Sequence, residues 1–147
     1  MEMDEKGFTL LESLTVLMIS SLMMVILFAG LPPIYEKKAV QNFVSQLEED
    51  LLYAQQTALA QNTKVKVQFD FDHFKYVILP ADKRSDPYLT RTYDRKISIK
   101  KSTLKRQLTY SPNGAPNQGG KMVIETGDAY FELTIYLGSG KINVQTK

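Results

Sequence analysis

Cysteine is absent from the 147 residues, and histidine occurs once, at His73. The first absence removes disulfides, zinc thiolates and a cysteine nucleophile, so a domain held outside a membrane must be stabilised by packing alone. No Ser-His-Asp arrangement can be defended in the sequence. There is also no G-x-S-x-G elbow, and no glycine-rich phosphate cradle joins a strand to a helix. Enzymatic chemistry and a bound cofactor are therefore not expected. Charge is missing from one long stretch: between Glu12 and Glu36, the 23 residues from Ser13 to Tyr35 carry none. As a helix, that run is long enough to cross the ~30 Å hydrocarbon layer of a bilayer. It reads as a transmembrane segment whose apolar part ends at Leu31, before Pro32-Pro33.

Glu12 sits one turn into this apolar segment, where a lone charge costs roughly 2.5–3.5 kcal/mol on insertion scales. Lys6 is the basic residue near it, but it lies outside the run. A cut after Gly7 changes the arithmetic: Phe8 becomes the N-terminus, and its α-amine stands four residues before Glu12 on the same helix face. That amine could also reach the Glu12 of a neighbouring copy, which would turn an insertion penalty into an assembly signal. The stretch Lys6-Gly7-Phe8-Thr9-Leu10-Leu11-Glu12 resembles the class III signal of type IV prepilins and pseudopilins. The resemblance implies cleavage between Gly7 and Phe8 by a prepilin peptidase, N-methylation of Phe8, and Glu12 as the fifth residue of the mature chain. The leader departs from the usual basic character, with Glu2, Asp4 and Glu5 against Lys6. Lys6 stands against Lys37 and Lys38, so basic residues alone do not fix the orientation. A cytoplasmic N-terminus is what the resemblance implies.

About 116 residues lie beyond Leu31, enough for one modest domain. Removing Glu2, Asp4, Glu5 and Lys6 leaves 17 basic and 13 acidic side chains, a formal charge of +4. That balance is only mildly basic and does not by itself predict a nucleic-acid partner. Ile34 to Asn62 has helical periodicity, with Val40, Val44, Leu47, Leu51, Ala54 and Ala58 on one stripe. Glu36, Lys37, Glu48, Glu49, Asp50 and Gln55 fall largely off it. The proline pair predicts a kink or break between the membrane helix and this amphipathic one.

From Lys64 the period becomes two. Val65, Val67, Phe69 and Phe71 alternate with polar residues, and Phe74 to Leu79 forms the return strand of a hairpin. Ala81 to Asp94 reads as a loop of 14 residues. Short strands follow at Ile97–Ile99 and Leu104–Tyr110. A long turn through Pro112-Asn113-Gly114 then leads to a meander of Lys121–Thr126, Ala129–Leu137 and Lys141–Thr146. The fold class is α+β: a long N-terminal helix, transmembrane and then amphipathic, packed on antiparallel sheets of six or seven strands. The expected organisation is a leader at 1–7, a membrane or filament-core helix at 8–31, and an extracytoplasmic domain at 34–147. Tyr110-Ser111-Pro112-Asn113-Gly114 and Gly138-Ser139-Gly140-Lys141-Ile142 resemble the H-type minor pseudopilins and FimT-like minor pilins. With no cysteines and a short leader, the chain is most similar to the ComGD-type minor pseudopilins of Gram-positive competence pili. The resemblance implies sibling pseudopilins and a prepilin peptidase as partners, and indirectly an assembly ATPase with its membrane platform. It also implies a location in the cytoplasmic membrane and then the cell surface.

Two clusters remain. Asp70-Phe71-Asp72-His73 offers two carboxylates and an imidazole, but aspartate at a β-turn ordinarily bonds its own backbone, so a turn is expected and a metal is not. Between Lys83 and Arg106 lie nine of the 18 basic residues, with Tyr88 and Tyr93 interleaved. Arg84, Arg91, Arg95, Lys96, Lys100, Lys101, Lys105 and Arg106, with Lys141 further on, are candidate DNA contacts, the tyrosines offering stacking faces to a single strand. A solvated loop face or a contact for anionic wall polymer fits the same charges. Three functional readings stay open: a structural pilus subunit for uptake of DNA, a membrane-anchored DNA receptor, and a pseudopilin of a type II secretion system. Substituting a bulky residue at the cleavage position, Gly7→Val, should leave residues 1–7 on the protein when it is sequenced from native membranes. A variant that still begins at Phe8 would remove the peptidase from the account.

Overall fold

The computed structural model describes residues 9–29, 31–82, 86–100, 102–127 and 129–146. The chain divides into two compact units, Met1–Tyr35 and Glu36–Lys147. The first contains helix α1, Leu10–Ala29, and the second helix, α2, runs Leu31–Ala60. Residue 30, between them, lies outside the described residues, and with it the point at which a break ahead of the proline pair is expected. Pro32 and Pro33 lie within the residues assigned to α2. At its far end α2 closes with Asn62 in the left-handed region (φ 49°). Thr63 N donates to Ala58 O at 3.2 Å and Asn62 N to Leu59 O at 3.3 Å. This crossed pair of bonds satisfies the last carbonyls of the helix.

Eight strands follow: β1 Val65–Asp70, β2 Lys75–Pro80, β3 Leu89–Thr92, β4 Ser98–Lys100, β5 Gln107–Tyr110, β6 Gly120–Thr126, β7 Ala129–Ile135 and β8 Ile142–Thr146. They form two antiparallel sheets of four, in the orders β3-β2-β1-β5 and β4-β6-β7-β8. The β1–β2 hairpin runs in register from Val65 opposite Pro80 to Asp70 opposite Lys75. Alternation delivers Val65, Val67, Phe69, Tyr76, Ile78, Leu108 and Tyr110 to the core from the first sheet. The second sheet contributes Met122, Ile124, Phe131, Leu133 and Ile135 to the same cluster.

Every residue of the expected α2 stripe is buried, from Val40 to Ala58, in one continuous core with both sheets. Each such leucine or valine contributes about 1.5–3 kcal/mol of burial. Several details differ from the sequence reading. The loop over Ala81–Asp94 contains β3, an edge strand paired with β2 from Lys75 opposite Thr92 to Ile78 opposite Leu89. Its four residues carry no apolar alternation, because an edge strand needs only a neighbour's free backbone. The strand expected at Leu104 begins at Gln107 instead, although Leu104 itself is buried. Phe71 lies in the hairpin turn rather than in β1. Leu137, expected as the last residue of its strand, is 69% exposed beyond the end of β7.

Asp50 is the largest departure. Assigned largely to the polar side of α2, it is buried at 8% exposure. Its Oδ2 accepts the Tyr76 hydroxyl at 2.6 Å and Arg91 Nε at 3.1 Å. Burial and that bond to the carboxylate push the Tyr76 phenol well above its ordinary range. Tyr110 is in the opposite position: fully buried, with no hydrogen-bond partner for its hydroxyl among the described residues. An orphaned buried hydroxyl costs about 1–3 kcal/mol. Tyr110→Phe should therefore leave urea stability of the detergent-solubilised chain unchanged or raise it by about 1 kcal/mol, read by circular dichroism. A loss of more than that would show that the hydroxyl is satisfied.

Candidate functional site

Gly7 and Phe8 lie outside the described residues; the site begins at Thr9. Thr9 is the N-cap of α1: its hydroxyl accepts Glu12 N at 3.3 Å. Its carbonyl accepts Glu12 N at 3.0 Å and Ser13 N at 3.1 Å. Thr9-Leu10-Leu11-Glu12 is thus the Thr-x-x-Glu pattern of a capping box, a signal present in the sequence but not used in reading it. It places Glu12 at the third helical position, beside free N–H groups and the positive end of the helix dipole. That placement contributes about 0.3–1 kcal/mol, against roughly 2.5–3.5 kcal/mol for a charge inside the bilayer. The helix end covers only part of the cost, so a further cation still has work to do.

The rest of α1 is built for an apolar medium. Leu10–Phe28 has the length and composition of a membrane span, and its large apolar side chains are exposed all round. The hydroxyls along it turn inward: Thr15 donates to Leu11 O at 2.6 Å, Ser20 to Val16 O at 2.7 Å and Ser21 to Met18 O at 2.9 Å. None of these three presents an unpaired donor to lipid or to a neighbouring helix.

The candidate DNA contacts do not form one uniform surface. Arg84 and Lys101 lie outside the described residues. Arg91, on β3, bonds buried Asp50, and that bond raises its pKa first of all. Lys100, on β4 in the other sheet, pairs with Glu125. Arg106 pairs with Asp72 at 2.8 Å and lies 6.0 Å from the Phe71 ring centre. Arg95, Lys96, Lys105 and Lys141 are exposed. Tyr88 donates its hydroxyl to Gln61 Oε1 at 2.6 Å, which ties it to the end of α2.

At the hairpin turn, Asp70 Oδ1 accepts His73 N at 3.2 Å, while its carboxylate oxygens lie 3.0 and 2.9 Å from His73 Nδ1. The bond to His73 holds the Asp70 carboxyl below its ordinary pKa, partly opposed by burial. Asp72 turns instead to Arg106. The two carboxylates serve different partners, and among the described residues no group of three metal-ligating side chains comes together. Phe74, which closes this turn, has φ +51°. For a bulky side chain that conformation costs about 1–2 kcal/mol. Its edge-on contact with Tyr93, ring centres 6.0 Å apart, contributes about 0.5–1.5 kcal/mol, so the two roughly cancel. Nothing in the residue pattern marked this position, where glycine or asparagine is the ordinary choice.

Residues 3–28 match the family model of the prokaryotic N-terminal methylation motif. Over 144 residues the chain is 41% identical to the competence protein ComGD of Bacillus subtilis strain 168, covering 98% of this chain and 96% of that protein. The chain belongs to the ComGD family. Its fold is similar to that of the type IV minor pilin FimU of Pseudomonas aeruginosa PAO1, with TM-score 0.63 and 21% identity over 77% of this chain and 92% of FimU. It is also similar to the minor pseudopilin EpsH of the Vibrio cholerae type 2 secretion system, with TM-score 0.60 and 15% identity over 74% of this chain and 97% of EpsH. At those identities the likeness concerns the fold: a pilin-like α+β domain. The methylation motif at the start of the chain and the pilin-like domain behind it thus occur together in this member of the family.

The Asp50 network separates two roles for the basic stretch. Arg91→Ala should lower urea stability clearly, because it leaves a buried carboxylate with Tyr76 as its remaining hydrogen-bond partner. Lys105→Ala, at an exposed position, should change stability by no more than about 0.5 kcal/mol. Equal effects from the two would mean that Asp50 is not held by Arg91.

Proposed function

We propose that this chain is a minor subunit of a competence pilus that serves the uptake of transforming DNA, and that its role is structural. The observation that carries this reading is the near-full-length match to a competence protein behind a prepilin motif. In the proposed sequence of events, a membrane peptidase cuts between Gly7 and Phe8, Phe8 is methylated, and residues 8–31 hold the subunit in the cytoplasmic membrane. Residues 34–147 face outward. Assembly, driven indirectly by an ATPase and its membrane platform, moves the helix from lipid into a bundle of sibling pseudopilin helices.

The chemistry supporting this is the balance at Glu12. Thr9 starts the helix so that Glu12 meets its free amides, and cleavage supplies an α-amine at Phe8 as the missing cation. Because the amine arises only on processing, an uncut subunit inserts with an uncompensated acid and a cut one is matched. A neighbour's amine can serve the same carboxylate, which couples maturation to incorporation. A type II secretion role would use the same anchor physics. The full-length match to a competence protein favours uptake over secretion, while the EpsH likeness bears on fold.

The test is Glu12→Ala. The variant should remain in the membrane at ordinary abundance while its content in sheared pili falls about tenfold or more, the effect of losing at least 1.4 kcal/mol of pairing. Unchanged pilus content would count against the amine pairing, and loss from the membrane would show that Glu12 acts in insertion.

A further inference from the structure

Of the chain's five asparagines, Asn113 alone precedes a glycine. Gly114 has no Cβ, so its backbone nitrogen has an unobstructed approach to the carboxamide carbon of Asn113. The pair sits in a tight turn after β5 that three hydrogen bonds close. Gly114 N donates to Ser111 O at 2.8 Å and Ser111 N to Ala115 O at 2.9 Å, while Ala115 N donates to Asn113 Oδ1 at 3.1 Å. Gly114 takes a left-handed φ of +76° on this path.

The turn is also clasped by α2. Gln55 Nε2 donates to Gly114 O at 2.8 Å, and the Leu59 side chain lies against Gly114, which is buried although Asn113 beside it is exposed. These contacts restrain the chemistry of Asn113. For the Gly114 nitrogen to attack the carboxamide carbon, its N–H must leave Ser111 O and give its proton to hydroxide, and Asn113 Oδ1 must leave Ala115 N. The bond from nitrogen to Cγ then forms, the Cγ–Nδ2 bond breaks, and ammonia leaves with a proton from water. Water opens the resulting succinimide at Cγ to give aspartate, or at the main-chain carbonyl carbon to give isoaspartate, whose backbone is one carbon longer.

We propose that Asn113 is a self-modification site governed by α2: while Gln55 holds the turn the ring cannot close, and when Gln55 lets go Asn113 converts irreversibly to isoaspartate and aspartate. In the isoaspartate product the lengthened turn no longer brings the Gly114 carbonyl to Gln55, so each such event is a one-way release of the turn from the helix. All of these contacts lie within the larger unit, so the proposal stands apart from the pilus reading.

The test follows Asn113 by peptide mass mapping of the full chain in detergent during incubation at mildly alkaline pH, with the same chain in urea as the unshielded reference. Conversion should be slower in the folded chain by about tenfold or more. Gln55→Met keeps the bulk of the side chain and removes its donor, and should speed conversion of the folded chain about fivefold, the effect of one hydrogen bond. Arg91→Ala weakens a separate tie of α2 and should leave the Asn113 rate as it is. In the isoaspartate fraction the Ala115 amide should exchange its hydrogen about tenfold faster than in intact protein. Conversion as fast in the folded chain as in urea would overturn the proposal, as would a Gln55→Met rate equal to that of the unaltered chain. Equal acceleration by Gln55→Met and Arg91→Ala would assign the reaction to global unfolding and sink it too. Unchanged exchange at Ala115 would show that the modified turn stays closed, against the release proposed.

Discussion

The larger unit depends on covering one side of α2. Val40, Val44, Leu47, Leu51, Ala54 and Ala58 are all buried, and side chains from both four-stranded sheets complete the same core. With no disulfide available, this apolar area is the main source of stability. Gln55 adds polar ties between the helix and the turns that follow the strands, donating to Gly114 O at 2.8 Å and Ser139 O at 3.3 Å. Gly140 lies against the Gln55 amide with φ +66°, a left-handed conformation that favours glycine there.

Within that core the Asp50 carboxylate is expensive to bury and is tolerated because it is met from two strands. Tyr76 comes from β2 and Arg91 from β3, so one acid fastens the helix to the edge of the first sheet. The Tyr76 bond lies in a low-dielectric setting, where it is stronger than at the surface and a missing partner costs more, whereas the Arg91 side chain is 41% exposed. Arg91 is thereby part of the domain's architecture, although in the sequence it is indistinguishable from the exposed cations around it.

The N-terminal unit follows the opposite solvent logic. Its apolar side chains face outward along the whole of α1, and its hydroxyls turn back to their own helix. Thr9 and Glu12 together start the helix and leave a carboxylate partly compensated. On the proposed reading, that residual cost is what makes processing matter.

How much was legible follows from what each pattern reports. The uncharged run, the prepilin signal, the α2 stripe and the first hairpin are local patterns, and a periodicity records which side of an element meets water. The sequence by itself therefore determined the anchor, the helix stripe and the α+β class. It could not determine what lies opposite a given side chain. Asp50 looked solvated because its partners are 26 and 41 residues away. β3 looked like loop because its only warrant is the free edge of β2. The sorting of the basic stretch, with Arg91, Lys100 and Arg106 paired and Arg95 exposed, was settled by strand pairing across two sheets, as was the meeting of Phe74 with Tyr93. Those outcomes depend on contacts between distant segments, and only the tertiary structure brings such segments together.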